Sequence, residues 1–411
     1  MGNCCTSTDM LDFPSDFEYN NKVLLDIFSL YASQMDSLPS DSLYTLTSPV
    51  NQNNFNIFLS NLPMKVSGCV LPGMDFRMNT KKVCQDGYIV IVHNDCLLSI
   101  LCDGHGVEGH TVCAYSIEYC QKYFKKHFSQ IKHDPKTAIS NMLQKCDRKV
   151  MNAVECEMSG TTIVVLFICE EKIYCGSLGD SRAIIGQLNS VGDQLRIRNR
   201  KHFRKITCDK PYKAIPLTQD QKPEDSDEML RIRMSGGIVE KLTDPFGRNV
   251  GPYRVWNKDG SGPGLAMSRS LGDKVGKSCG VISQPLYFEK KILAGKDQFI
   301  IIGSDGLWDV LDNIEAINFV EKWKARCGNS VTGDYPSSAK NSSVSRLLAE
   351  EARYRWLGVA QEERVPIDDI SCVVIDFSVD FPKQSILAAE GEQKLVPIEP
   401  GSGLNNEDYL H

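Results

Sequence analysis

The sequence predicts an α+β layered sandwich. Two observations carry that reading. Apolar runs of strand length come in pairs joined by a few polar residues, and two consecutive stretches with apolar residues at helical three and four spacing lie between one pair and the next. Two helices in succession do not make a parallel βαβ unit, so antiparallel sheets with helices in separate layers are expected. The 411 residues are 42% hydrophobic and 24% charged, an ordinary globular balance with enough apolar material for a large core. A net charge of −6 argues against nucleic acid as a partner, because phosphate backbones are bound by clustered Lys and Arg. The 16 cysteines sit scattered in apolar runs with no CxxC pair, and no secretory signal is expected, so they read as reduced thiols. The longest apolar runs, such as Thr162 to Cys169, fall far short of the roughly 20 residues that span a bilayer.

In chain order, Met1-Gly2-Asn3-Cys4-Cys5-Thr6 fits an acylation pattern. Gly2 would carry myristate after methionine removal, and Cys4 and Cys5 would carry palmitate, the second signal that stable attachment needs. Up to residue 65 the only cations are Lys22 and Lys65, so a polybasic patch cannot be that signal. The expected location is the cytoplasmic face of a membrane, the plasma membrane foremost, and otherwise the cytosol. Residues 1–60, rich in Ser, Asn and Asp with one apolar patch from Val23 to Tyr31, read as a largely irregular tether. A domain follows over 61–380. Tyr88 to His93 pairs with Leu97 to Cys102, and Thr162 to Cys169 with Lys172 to Ser177, as hairpins; His110 to Phe128 and Lys136 to Glu155 read as helices. Residues 187–213, dense in Arg and Lys, read as a solvated insertion or as a patch for acidic or phosphorylated partners. Gln219 to Met234 is expected to be helical up to Gly236-Gly237, and 237–264, with Arg254 and Trp256, reads as a long loop forming a flap. Gln298 to Gly303 and Ile370 to Phe377 are strands, and Asn313 to Arg326 and Ser345 to Trp356 are helices. The Ser/Gly/Asn-rich residues 328–343 read as a disordered loop, and 381–411 as a polar tail.

Acids recur where the most apolar strands start or stop. Leu97 to Cys102 delivers Asp103 into the turn Asp103-Gly104-His105-Gly106, where the glycines let backbone carbonyls approach a ligand and His105 titrates near neutrality. Ile300-Ile301-Ile302-Gly303 leads into Asp305-Gly306, Asp180 follows the strand from Lys172, and Asp86 and Asp368 stand just before strands. Desolvated carboxylates are expensive unless a cation compensates. Oxygen ligands without a His or Cys set select Mg²⁺ or Mn²⁺ over zinc, and the twelve-residue calcium loop is missing from the acidic stretches. Two such ions sharing a carboxylate bind phosphate oxygens and acidify a bridging water, which points to phosphoester hydrolysis. A cysteine route is disfavoured: no His-Cys dipeptide opens a phosphate loop, and Cys175 and Arg182 are one residue too far apart for C-x₅-R.

Asp103-Gly104-His105-Gly106, Ser159-Gly160-Thr161-Thr162, Gly179-Asp180-Ser181-Arg182-Ala183 and Leu217-Thr218-Gln219-Asp220-Gln221-Lys222-Pro223 occur in one order. Gly264 to Asp273 (GLAMSRSLGD), Ser304-Asp305-Gly306-Leu307-Trp308-Asp309 and Asp368-Asp369-Ile370-Ser371 continue it. From Ser67 to Phe377 the chain thereby resembles the metal-dependent, type 2C family of protein Ser/Thr phosphatases. The resemblance implies an α-β-β-α sandwich of two antiparallel sheets with a binuclear Mn²⁺/Mg²⁺ centre in the cleft between them. It implies that Asp103 bridges both ions, Gly104 offers its carbonyl, Asp305 and Asp368 complete the ligands and Asp86 orients metal-bound water. Asp180 and Asp309, with Asp305, match a third, weaker metal position, with Thr161 and Thr162 packing nearby. His105 matches the proposed general acid. The implied partners are phosphorylated proteins, met by a monomeric catalytic domain.

Departures from the family pattern are Gln85 for a common Glu, Cys84 for Asn, Gln221 for His, Asp369 for Asn, and Lys81, beside Lys82, for a phosphate-gripping Arg. Gln85 is expected to hold water with less charge, and Lys81 to grip phosphate as a point charge rather than a fork. Gln85 and Lys81 support a rival reading, a membrane-tethered pseudophosphatase that binds rather than hydrolyses. Arg269 reads as a structural ion-pair partner and Trp308 as core.

Overall fold

The computed structural model describes residues 54–59, 62–75, 83–189, 212–328, 343–363 and 365–378. Two antiparallel sheets stack between two layers of helices, the expected α-β-β-α sandwich. The first sheet has the order β1 (Asn54–Leu59), β2 (Leu62–Leu71), β16 (Ile370–Asp376), β15 (Asp297–Gly303), β8 (Arg182–Leu188), β9 (Tyr212–Pro216). The second runs β13 (Leu271–Gly272), β5 (Gly160–Thr161), β4 (Cys96–His105), β6 (Ile163–Cys169), β7 (Lys172–Leu178), β14 (Leu286–Lys291), with β3 (Asp86–His93) also on β4. Helices α1 (Gly109–Lys126), α2 (Phe128–His133) and α3 (Pro135–Ala153) cover the second sheet, and α7 (Asn313–Gly328) and α8 (Val344–Glu363) the first. At the start of α3 the Asp134 carboxylate accepts from Thr137 N at 3.1 Å and Pro135 takes the first turn, where its missing N–H costs nothing.

Alternation along the strands decides what faces the space between the sheets. On β4, Cys96, Leu98, Ile100 and Cys102 pack under the helices with Phe124 and Met142. Leu97 and Leu101 point the other way, among Ile300, Ile302 and Val373 of the first sheet. The period of two then puts Asp103 on the same inter-sheet face as Leu97 and Leu101, where the apolar filling stops. Asp86 shares that parity with Tyr88 and Val90, which border the same core.

Several expectations need correction. The stretch read as tether contributes an edge strand, β1, in register with β2 from Asn54↔Ser67 to Leu59↔Leu62. The helix expected from Gln219 starts only at Ser226 (α4, Ser226–Met234), because Pro223 disfavours helical backbone at Lys222. Residues 237–264 are not a loop but a three-stranded antiparallel sheet, β10 (Ile238–Thr243), β11 (Asn249–Trp256) and β12 (Pro263–Leu265). Val239, Val255 and Leu265 bury one face of it against Ile232, Met267 and Val281. Short strands, glycines and a register shift between Lys241 and Leu242 hide its period of two. The middle of the basic insertion, nearly all of 328–343, the tail and residues 1–53 lie outside the described residues. Twelve cysteines among the described residues are free thiols, as expected. No helix among them is long and apolar enough to cross a membrane.

One clamp ties α4, whose Ile232 packs with the flap sheet, to the segment that follows that sheet. Glu228 on α4 receives both Nη atoms of Arg231 at 2.8 and 2.9 Å, Arg269 Nη2 at 2.6 Å, and the Ser268 hydroxyl. Arg269 is thus the structural partner expected. Burial opposes the charge on Glu228, but the hydrogen bonds from Arg269, Arg231 and Ser268 outweigh it and hold the carboxyl at about 2. A depressed carboxyl stabilises the fold above its ordinary value, and that contribution falls away as pH drops toward 2. Glu228→Gln is expected to lower unfolding free energy at pH 7 by on the order of 3 kcal/mol in urea titrations. The gap to wild type should narrow as pH falls below about 4.5, as linkage requires; a gap unchanged down to pH 3 would exclude this role.

Candidate functional site

The acids singled out in the sequence come to one end of the inter-sheet space. The β3–β4 hairpin closes through Asn94 and Asp95, both at positive φ, which sets a register in which Asp86 lies directly opposite Asp103. In the first sheet β15 and β16 are neighbours, so Asp305, just past β15, meets Asp368, just before β16. The approach is so close that a Cβ on Gly306 would fall 2.0 Å from Asp369 O, which is why Asp305 is followed by glycine. Asp305 opens the single-turn helix α6 (Asp305–Trp308), and Trp308, buried as expected, donates from Nε1 to Gly303 O at 2.9 Å. Asp369 then locks the sheets together: its two carboxylate oxygens accept from Gly73 N at 2.5 Å and from Gln85 N at 2.8 Å.

The charge balance is unfavourable. Burial, then the charges of Asp305, Asp86, Asp368 and Asp180, push the Asp103 carboxyl well above its usual range. Burial and Asp368, Asp180 and Asp309 do the same to Asp305, against Lys222. Asp86 is raised to about 7 by burial and by Asp369; the Ser304 and Ser371 hydroxyls nearby favour its charge, yet neither of its oxygens has a hydrogen-bond partner among the described residues. Asp180 Oδ2 is held by Lys222 Nζ, while its Oδ1 is buried with no partner among the described residues. Burial disfavours the charge on Lys222, but Asp180, Asp305 and Asp220 more than compensate. Asp309 stands at the exposed rim. Orphaned buried carboxylate oxygens with one ammonium among them are a donor set that fits hard divalent cations. Among the described residues no three His, Cys, Asp or Glu side chains are drawn together into a ready ligand group.

Three motifs are woven into one short ladder around the Asp103 turn. Thr161 pairs with Gly104 on one side and Leu271 on the other, and Gly160 with His105 and Gly272. Asp103 N donates to Thr162 Oγ1 at 3.2 Å, and that hydroxyl lies 2.7 Å from Ser181 Oγ, next to Asp180. A Cβ on Gly104 would meet Gly109 O at 2.4 Å, so no other residue fits there. Gln85 Nε2 donates to Gly106 O at 2.6 Å. The amide nitrogen therefore braces the turn.

Lys81 and the acylation residues Gly2, Cys4 and Cys5 lie outside the described residues. Sequence reasoning missed Lys222, the clamp at Asp369, the Arg182–Asp220 pair, bonded at 2.9 and 2.6 Å, and above all Asp273, whose carboxylate takes His105 Nε2 at 2.9 and 2.8 Å. Burial works against a charged His105, but Asp273 outweighs it and raises the imidazole. The signal was present in the sequence: Asp273 ends the Ser-Leu-Gly-Asp run just before a helical stretch, an acid again at a chain reversal.

Comparison with known proteins agrees with this geometry. The probable protein phosphatase 2C 64 of Oryza sativa subsp. japonica is 30% identical over 250 residues, 61% of this chain and 49% of that one. The probable protein phosphatase 2C 72 of Arabidopsis thaliana is 29% identical over 285 residues, 66% of this chain and 74% of that one. The chain thus spans about half the length of the rice relative and about three quarters of the Arabidopsis one. The crystal structure of a serine-threonine phosphatase 2C from Toxoplasma gondii shares the fold, with a TM-score of 0.58 at 17% identity over 80% of this chain and 99% of that chain. Residues 97–355 match the family model for protein phosphatase 2C, and the chain belongs to that family.

Proposed function

We propose that this chain is a Mn²⁺- or Mg²⁺-dependent protein serine/threonine phosphatase. The observation that carries this reading is the gathering of Asp86, Asp103, Asp180, Asp305 and Asp368 at one end of the inter-sheet space, with buried oxygens on Asp86 and Asp180 left without partners among the described residues. Asp103, the Gly104 carbonyl, Asp305 and Asp368 would hold two cations, with Asp86 beside them; Asp180 and Asp309 with Asp305 would hold a third more weakly. When bound, such ions neutralise phosphate charge and make water a stronger nucleophile. The chain's own groups divide the remaining work. His105 donates a proton to the departing serine or threonine oxygen. Lys222 screens Asp180 until a stronger cation or an anionic substrate arrives, and Lys81 would add a point charge for phosphate. The rival reading as a pseudophosphatase rests on Gln85 and Lys81; the gathered Asp103, Asp305 and Asp368 favour the enzyme, because a binder has no need of converging carboxylates.

With a phosphoserine peptide and Mn²⁺, excess chelator or Asp103→Ala is expected to reduce hydrolysis by roughly a hundred-fold or more; full activity in either case would exclude the proposal. Thermal unfolding gives an independent readout. Mn²⁺ at a hundred times its dissociation constant should stabilise the chain by about 2.7 kcal/mol. Asp103→Asn should melt higher than wild type without metal, because repulsion is relieved, and should lose the Mn²⁺ shift. A variant that melts lower without metal, yet keeps the shift, would contradict the role of Asp103.

We also propose that Gly2, Cys4 and Cys5 carry the acyl chains that hold the enzyme at a membrane surface. Gly2→Ala is expected to move the protein from the membrane to the soluble fraction of cells, and an unchanged distribution would count against acylation.

A further inference from the structure

We propose that Asp273 is a positioning residue for His105, fixing the ring and the tautomer that leaves Nδ1 to serve the departing oxygen. This rests on reading His105 as the proton donor. Both oxygens of Asp273 lie within hydrogen-bond distance of His105 Nε2, at 2.9 and 2.8 Å, while His105 Nδ1 is buried with no partner among the described residues. A carboxylate accepts only, so Nε2 keeps its hydrogen and the bond holds the ring with Nδ1 turned away from Asp273.

The seat of Asp273 is built with unusual care for an ordinary ion pair. Its side chain is fully buried, Ser270 Oγ donates to Oδ2 at 2.5 Å, and its own N donates to Ser159 O at 2.8 Å. A Cβ on Gly160 would fall 2.2 Å from Oδ2, so the neighbouring strand needs glycine there to admit the carboxylate. Asp273 also adopts a left-handed backbone, φ 52° and ψ 56°. Among the described residues the other non-glycine positions with positive φ are Asn94, Asp95, Glu170 and Glu171, all in the two-residue turns of hairpins. Asp273 lies in no such turn, and strain of this kind gathers at functional sites. A cation stands near: Lys277 Nζ donates to Ser270 O at 2.6 Å and lies 3.5 Å from Asp147 Oδ1, which leaves the Asp273 carboxylate to the imidazole. As the oxygen of water bonds to phosphorus, the bond between phosphorus and the serine oxygen breaks, its electron pair takes the proton from Nδ1, and the neutral ring stays protonated on Nε2, where Asp273 accepts.

The test compares kcat/KM for phenyl phosphate, a poor leaving group, with that for 2,4-dinitrophenyl phosphate, which needs no proton, using the full chain with Mn²⁺. His105→Asn should lose roughly a hundred-fold on the first and little on the second. Asp273→Asn, which tolerates the same backbone, should lose roughly ten- to a hundred-fold on phenyl phosphate and less than about three-fold on the dinitrophenyl ester. The double variant should be no worse than His105→Asn alone. Equal losses on both esters for Asp273→Asn, or losses that multiply in the double variant, would overturn the positioning role. Should Asp273→Asn not fold, Ser270→Ala decides, with the same selective loss on phenyl phosphate expected and an unchanged ratio between the esters overturning the proposal. If His105→Asn itself loses equally on both esters, the general acid is elsewhere, and both readings fall together.

Discussion

Repulsion among buried carboxylates is the constraint around which the rest of the molecule is arranged. Asp103 and Asp305 are each pushed far above the ordinary carboxylate range by burial and by each other's neighbours. Water would screen such charges, but the end of an apolar inter-sheet core supplies little of it. A chain left to minimise that energy would splay the strand ends apart. Several fixed contacts prevent this. Asp369 bonds Gly73 and Gln85 across the sheets, Ser304 and Ser371 exchange hydrogen bonds at 3.1 and 3.0 Å at the β15–β16 end, and Lys222 places an ammonium on Asp180. The stability that tolerates the site comes from elsewhere, chiefly the three apolar layers and buried ion pairs such as Glu228 with Arg269.

That arrangement explains which parts of the protein could be read from the sequence. Strands β4, β6, β15 and β16 were legible because, buried on both faces, they form continuous apolar runs that break at an acid. The acids were legible for the same physical reason, since a desolvated charge at the end of such a run demands an explanation. Parity along β4 even places Asp103 on the inter-sheet face once Leu97 and Leu101 are assigned there. What remained hidden has a different character. The flap sheet has exposed strands with one shallow buried face, so its alternation is diluted by Gly247, Gly251 and Gly260. Edge strand β1 is only six residues long. Asp273 and Lys222 act through tertiary contacts that span 168 and 42 residues of sequence, so even an acid that ends the Ser-Leu-Gly-Asp run does not disclose its partner.

Glycine placement separates the two kinds of information further. Gly306 and Gly104 were noticed because they flank acids, but their necessity comes from backbone atoms that the fold brings against them, Asp369 O and Gly109 O. The sequence displays the residue, whereas only the fold displays the clash. The same holds for Gln85, whose side-chain amide reaches a carbonyl 21 residues away.

The turn at Asp103-Gly104-His105-Gly106 gathers a metal-type carboxylate and a titrating imidazole within three residues, and the two have opposite needs. Asp103 is best served by rigid placement close to other acids, His105 by an environment that tolerates its positive charge. The ladder of β4, β5 and β13 reconciles them by giving each its own support. Asp103 is fixed from the Thr162–Ser181 side and His105 from the Ser270–Asp273 side, with Gly160 and Thr161 paired between them. Because β5 pairs with both neighbours in register, a shift of the Ser159 to Thr162 segment would move carboxylate and imidazole together. The separation between them is therefore set by backbone hydrogen bonds, which a change in charge at either residue does little to disturb.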